Sequence, residues 1–465
     1  MRRAAVPMMV LLGGCAVGPD YHRPQVAVPD AYRSDAALPA GDSVGDALWT
    51  EIYPDSRLRA LIGTALRNNH DLQSAMARID EARAALGQTR LGYLPTINAA
   101  GTVARSKTST VVRQPGAPRI RDTEEARLAV SYELDLWGRV RRSNEAAKAT
   151  LLASEYARRT VATSLVADVA NAYYTLLSLD VQLDITRRTI AAREKYVELT
   201  RAQHERGYAT GLDAATAQAQ AAAARSNAPE LERRIARAEN GLCVLLGENP
   251  HRIERDAPGD TLPEAAPLPP PGLPSALLER RPDVRAAEEG LRAANANIGV
   301  AKAALFPSIS LTGYAGSLSS PLGNLFRAST AEWSAAAGLL QPLLDAQRSR
   351  YQLDLATARK REALVDYEKT VQTAFREVAD ALVDYAKYGE YATEQTRQVT
   401  ALRKAEEIAL ARYRVGYAAY FDVISADRDL YAAELALSEA HANSLTALVR
   451  LYQALGGGWQ DAPKA

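Results

Sequence analysis

The chain has 465 residues, 47% hydrophobic and 24% charged, which is enough apolar material for a sizeable core. Its 56 basic residues offset 55 acidic ones, so charge makes no case for a nucleic-acid partner. Two cysteines and five scattered histidines provide neither a disulfide framework nor the spacing of a metal site.

The first segment reads as an export signal. Arg2 and Arg3 form a basic start, and residues 4–12 form an apolar run too short to cross a membrane. Leu12-Gly13-Gly14-Cys15 then resembles a bacterial lipobox, in which the cysteine thiol carries the lipid and becomes the mature N-terminus. Ala16 stands where an aspartate would commonly retain a lipoprotein at the inner membrane, which favours the outer membrane. Residues 1–14 are therefore expected to be removed and Cys15 to carry a covalent lipid, with no other cofactor. Without Arg2 and Arg3 the balance is 54 basic to 55 acidic residues, or −1. Residues 15–55, rich in Pro, Gly and Asp, read as a tether. Cys243, in the apolar run 242–246, reads as a core residue and leaves no partner for an internal disulfide.

From residue 56 on, the chain is duplicated. Asp71, Ala75, Ala82, Gly87, Pro95, Ile97 and Gly101 recur as Asp283, Ala287, Ala294, Gly299, Pro307, Ile309 and Gly313, always 212 positions later. Gly207-Tyr208-Ala209, Asp213 and Leu246-Gly247 recur 209 positions later as Gly416-Tyr417-Ala418, Asp422 and Leu455-Gly456. The repeats are placed at 56–249 and 275–456, joined by a proline-rich connection over 250–274 and followed by a tail, 457–465.

Each copy opens with a helix. Residues 57–94 are rich in Ala, Leu, Arg and Glu, and Pro95 stops a helix expected to end near Gly92; its copy runs over about 275–305. After each proline the period changes to two. Ile97, Ala99, Gly101 and Val103 alternate with Thr96, Asn98, Ala100 and Thr102, and Leu128, Val130, Tyr132 and Leu134 alternate with Ser131, Glu133 and Asp135. Strands are thus expected at about 95–107 and 124–136, and in the second copy at about 307–316 and 331–341. Carboxylates on one face and apolar groups on the other suit a lumen and a lipid surface, and alternation fits a soluble hairpin with one buried face equally well.

Very long helices follow, at about 139–206 and 347–414, with no proline and no internal glycine except Gly389. Each would extend roughly 100 Å at about 1.5 Å per residue. Leu165, Val169, Ala172, Leu176, Leu179, Leu183, Thr186 and Ile190 keep a 4,3 spacing, as do Leu364, Tyr367, Val371, Ala374, Val378, Ala381, Tyr385 and Tyr388. A sustained 3.5 period means coiled-coil packing. Both long helices end in a small-residue turn, and returning helices are expected at about 212–247 and 420–455. Asp213 and Asp422 fall in their first turns, where a carboxylate complements the helix dipole; the matched Gly-Tyr-Ala also suits an exposed contact.

Four strands cannot close a membrane barrel, so hairpins in a membrane require several chains to share one. The helices leading from them would continue that symmetry as a tube.

Cys15-Ala16-Val17-Gly18-Pro19-Asp20-Tyr21-His22-Arg23-Pro24, Tyr132-Glu133-Leu134-Asp135-Leu136-Trp137-Gly138-Arg139 and Leu277-Leu278-Glu279-Arg280-Arg281-Pro282-Asp283 closely resemble the outer-membrane factor (TolC-like) family of tripartite efflux systems, in its lipoprotein OprM/NodT-like branch. The resemblance covers nearly the whole mature chain. It implies a mainly α fold with a small β part, a homotrimer with twelve shared strands and a helical tunnel into the periplasm, and an equatorial belt from the termini and the inter-repeat segment. It also implies a periplasmic adaptor and an inner-membrane pump of the RND type as partners. Gly207, Tyr208, Ala209, Thr210, Leu212 and Asp213, with Gly416, Tyr417, Ala418, Phe421 and Asp422, would form the adaptor-docking tip. Some relatives narrow the tip with an apolar ring and an aspartate ring four residues on. Phe421 and Ser425 hold those positions here, leaving Asp422 or Asp427 as substitutes for the missing carboxylate.

The function expected is a passive exit duct for small molecules, not an enzyme, since no phosphate loop, nucleophile constellation or metal site is present in the sequence. The alternative is a non-conducting coiled-coil scaffold lipoprotein, which would not need the strand hairpins.

Overall fold

The computed structural model describes residues 16–33, 41, 43–255, 262, 270–343 and 345–459. Cys15 and most of the proline-rich connection lie outside them. In chain order the elements are α1 (Trp49–Ile52), α2 (Ser56–Asn68), α3 (His70–Leu91), β1 (Thr96–Lys107), β2 (Ile120–Leu134), α4 (Arg139–Glu205), α5 (Gly211–Leu246), α6 (Pro274–Arg280), α7 (Pro282–Ala303), β3 (Ser308–Ser319), β4 (Ala331–Leu340), α8 (Ala346–Arg414) and α9 (Tyr420–Ala454). No described helix is long and apolar enough to cross a membrane.

The chain forms two compact units, and both draw on both copies of the repeat. One comprises Arg78–Ser154 and Ala286–Tyr367 with the segment ending at Gln25. The other comprises Val26–Ala77, Glu155–Arg285 and the segment from Glu368 onward.

The first unit holds the four strands, in one antiparallel sheet ordered β1-β2-β3-β4. The register sets Ala99 opposite Leu128, Leu128 opposite Ala315, and Ala315 opposite Trp333. That row, with its neighbours two residues away, makes one face apolar, while Glu125, Arg127 and Glu133 fall on the other by the two-residue alternation. The second hairpin, whose faces are indistinct in sequence, acquires its facing from this register. β2 begins at Ile120 rather than near 124, and β3 runs on to Ser319 rather than 316, because the polar residues there still pair in the ladder: Arg105 with Asp122 and Glu124 with Ser319. Asp135 caps α4, accepting from Val140 N at 2.8 Å and Arg141 N at 3.0 Å. The Trp137 indole donates to Pro307 O at 2.7 Å and stacks on Phe306, so the two hairpin bases are pinned together.

Also in this unit, the N-terminal segment lies against α4 and α7. Val17 N donates to Trp137 O at 3.0 Å, Asn295 Nδ2 to Pro19 O at 2.9 Å, and Arg142 pairs with Asp20 at 2.7 Å. Gly18 adopts φ +113, and a Cβ there would stand 2.5 Å from the Gly299 Cα. Residues 16–25, the start of the segment expected as a tether, are therefore docked.

The second unit holds a core of Leu58, Ile62, Val169, Leu176, Leu242, Cys243, Leu246 and Tyr452, all nearly free of solvent exposure. Leu165, Val169, Leu176, Leu179 and Leu183 from the α4 heptads are buried, as are Val371, Ala374, Val378 and Ala381 from α8. The helix expected over 57–92 is two helices. Asn69 breaks it with ψ 130; its Oδ1 accepts from Asp71 N and Leu72 N, and its Nδ2 donates to Leu245 O at 3.0 Å. The second copy breaks at Arg281, with ψ 120, because Pro282 disfavours a helical residue before it. Arg281 Nη1 donates to Ala454 O at 3.0 Å. The two contacts are repeat equivalents: in each copy the break residue caps the end of the returning helix, whose chain then turns at Gly247 (φ +71) or Gly456 (φ +83).

Candidate functional site

The two turns between long and returning helices lie in the second unit and are built alike. After α4, Gly207 N donates to His204 O at 2.9 Å and Tyr208 N to Gln203 O at 2.8 Å; after α8, Gly416 N donates to Tyr413 O at 3.0 Å and Tyr417 N to Arg412 O at 2.8 Å. These are Schellman closures, and they require a left-handed residue at their centre. Gly207 (φ +78) and Gly416 (φ +80) supply it, with no atom within 4 Å of where a Cβ would stand.

The first returning helix has a full capping box. Thr210 Oγ1 accepts from Asp213 N at 3.2 Å, and Asp213 Oδ2 accepts from Thr210 N at 2.9 Å. The second has half of one, since Ala419 has no side-chain acceptor and only Asp422 Oδ2 accepts, from Ala419 N at 3.1 Å. Ala209 and Ala418 are half-buried beneath the turns. Tyr208 is 84% exposed, Tyr417 77%, Leu212 75% and Phe421 74%. With Val415, 67% exposed, five large apolar or aromatic side chains thus stand in solvent at the turn end of one chain, an arrangement more typical of a contact surface than of a free one. Ser425, half-buried, follows Phe421 by one helical turn.

Behind the turns a series of polar contacts joins the first helix hairpin to the second. Tyr413 OH is bonded to Gln203 Oε1, and Tyr196 OH donates to Glu406 Oε1 at 2.7 Å. Arg193 Nε donates to Asp427 Oδ2 at 2.8 Å and its Nη1 to Gln220 O at 3.1 Å, while its guanidinium lies over the Tyr431 ring. Burial pushes the Tyr420 hydroxyl up to about 12 and raises the Asp427 carboxyl against the pull of Arg193. Of the two carboxylates considered in place of one at position 425, Asp427 is committed to Arg193 and Asp422 to its helix start.

Of these cross-hairpin residues only Asp427 was among the sequence-based candidates, and as a gate carboxylate rather than a partner of Arg193, although one signal was present. Extending the heptad seam of α4 beyond Ile190 reaches Arg193, Val197 and Thr200, and a charged residue on an apolar seam calls for a buried partner.

The family described as outer membrane efflux protein matches residues 61–248 and 273–457, one segment in each copy of the repeat. The chain belongs to this family. It is 38% identical over 461 residues to the toluene efflux pump outer membrane protein TtgC of Pseudomonas putida, covering 97% of this chain and 94% of that one. It is 37% identical to the outer membrane protein OprJ of Pseudomonas aeruginosa, covering 98% and 96%. Among solved structures it is similar to the outer-membrane channel OprN, with TM-score 0.88, 31% identity, and 96% and 100% coverage. It is also similar to the open state of the Neisseria gonorrhoeae MtrE outer membrane channel, with TM-score 0.86, 32% identity, and 97% and 100% coverage. The chain is therefore an outer-membrane efflux channel protein with the mainly helical fold and small sheet of these channels, and the scaffold alternative is set aside.

Proposed function

We propose that three copies of the chain form one duct, with twelve strands closing a barrel and the long helices forming a periplasmic tunnel. The observation that carries this reading is the sheet. Its four strands leave the outer edges of β1 and β4 without partners among the described residues, and an open edge in hydrocarbon leaves backbone groups unsatisfied. Three times four strands provides closure without further chain.

The duct is passive and catalyses nothing; the energy of export comes from an inner-membrane pump of the RND type, reached through a periplasmic adaptor. The adaptor docks on the two turns, with Tyr208, Leu212, Tyr417 and Phe421 as its apolar contacts and Gly207, Ala209, Thr210, Asp213, Gly416, Ala418 and Asp422 shaping the surface. Phe421 and Ser425 line the periplasmic gate, which carries an apolar ring and no carboxylate ring. Cys15 carries the lipid that holds the chain to the outer membrane. The cargo is of the class named for relatives, toluene for one and antibiotics for another.

The test is the mass of the native particle extracted by mild detergent from isolated outer membranes. A trimer of the lipidated chain is expected; a monomer, or recovery with the inner membrane, overturns the shared barrel.

A further inference from the structure

The strand register places two cations of the first hairpin, Arg105 and Lys107, just beyond the apolar rows of the sheet. On the face that carries Ile97, Ala99, Gly101 and Val103, the cross-strand rows run from Leu134 with Ile309, through Leu128 with Ala99 and Ala315, to Val103 with Glu124. Ten residue steps at about 3.4 Å, inclined at about 45°, rise about 24 Å, close to the apolar band of roughly 25 Å of outer-membrane barrels. The next two residues of β1 on the same face are Arg105 and Lys107. On the shared-barrel reading, on which this inference rests, they stand at headgroup height at the end of the sheet away from the long helices, with side chains on the lipid side.

The connection above them continues the charge. Arg113 and Arg119 follow, both exposed, so residues 105–122 hold five cations against one carboxylate, Asp122, although Arg121, in β2 opposite Ser106, falls on the other face. Asp122 pairs with Arg105 at 3.4 Å, with 74% of the arginine side chain still exposed. The connection of the second hairpin, residues 320–330, has a single cation, Arg327, and exposes Leu322 and Phe326 instead. The cationic rim thus belongs to one copy of the repeat, which sets it apart from the general polarity of loops.

We propose that Arg105 and Lys107, supported by Arg113 and Arg119, form a binding site for the phosphates of a phosphorylated glycolipid of the outer leaflet. Arginine suits phosphate because its guanidinium offers parallel donors, and headgroup height brings the phosphates to the side chains without desolvating them in hydrocarbon. Val103, directly below Arg105 and 79% exposed, would contact the acyl chains, while Ile120, 48% exposed, stands level with Lys107. The site lies on the outside of the channel, so its failure leaves the duct reading intact.

The test uses the full-length chain purified in detergent and titrated with diphosphorylated lipid A. Combined Arg105→Gln, Lys107→Gln and Arg113→Gln substitutions are expected to weaken binding by at least about tenfold and to flatten its salt dependence. Arg105→Lys with Arg113→Lys keeps the charge and restores most of the affinity, which separates charge from damage to the hairpin. Dephosphorylated lipid binds at least about tenfold more weakly to the unaltered chain. Equal binding by the glutamine variant, or equal binding of the dephosphorylated lipid, overturns the proposal. Displacement of lipid A by millimolar inorganic phosphate overturns its assignment to a membrane lipid and leaves a free-anion site.

Discussion

Arg193 on α4 and Asp427 on α9 meet at 2.8 Å, with their side chains only 5% and 13% exposed. Their contact ties the first helix hairpin to the second a few turns behind the two Gly-Tyr-Ala turns. Removing one partner strands the other as a buried charge, which costs about 3–5 kcal/mol, whereas removing both costs less. Arg193→Ala should therefore lower the melting temperature more than the Arg193→Ala, Asp427→Ala double variant does. Additive losses in a double-mutant cycle would show that the two residues act independently.

The same pair gives a pH dependence. Burial, with Glu406 and Glu434 adding to it, raises the Asp427 carboxyl above its ordinary value of 3.8 in the folded chain. The folded state then holds this proton more tightly than the unfolded state. The resulting stability is fully present below 3.8 and is lost as pH rises through the raised folded value. Relative to Asp427→Asn, which does not titrate, the unaltered protein should lose stability as pH rises across that window. Parallel melting curves at every pH would contradict the assignment.

At the turns, Gly207 and Gly416 have left-handed backbones and open space where a side chain would go. Substitution there costs only the local backbone preference, about 1–2 kcal/mol. Gly416→Glu should thus leave the trimer and its melting temperature nearly unchanged while cutting efflux of a reporter drug severalfold. Unimpaired export by a properly assembled variant would remove the second turn from the docking surface.

The docked N-terminal segment depends on close backbone approach. Gly18→Ala would place a Cβ 2.5 Å from the Gly299 Cα at φ +113, costing about 1–3 kcal/mol for the backbone conformation alone. Limited proteolysis should then release residues 16–25 well before the rest of the chain unfolds. Protection equal to that of the unaltered protein would mean that the segment tolerates the displacement.

Lipid attachment has its own readout. Cys15→Ser should abolish incorporation of labelled palmitate, and continued labelling would place the acyl group elsewhere.

Much of this molecule is local in origin. The shift from a helical period to a period of two after Pro95 and Pro307, the 3.5 repeat of α4 and α8, and the Gly-Tyr-Ala turns all follow from interactions within a few residues. The duplication is likewise readable without coordinates, because two similar sequences fold into similar elements. The helix breaks at Asn69 and Arg281 were not foreseen: at Asn69 the break gains its value from Leu245 O, 176 positions away. Partner choice for Arg193, the docking of residues 16–25 and the lateral alignment of β2 with β3 are also long-range matters. Heptad spacing shows that a seam exists, but many registers bury it equally well. Only the assembled fold decides which carboxylate meets the one arginine on that seam, and which strand residues share the row that faces lipid.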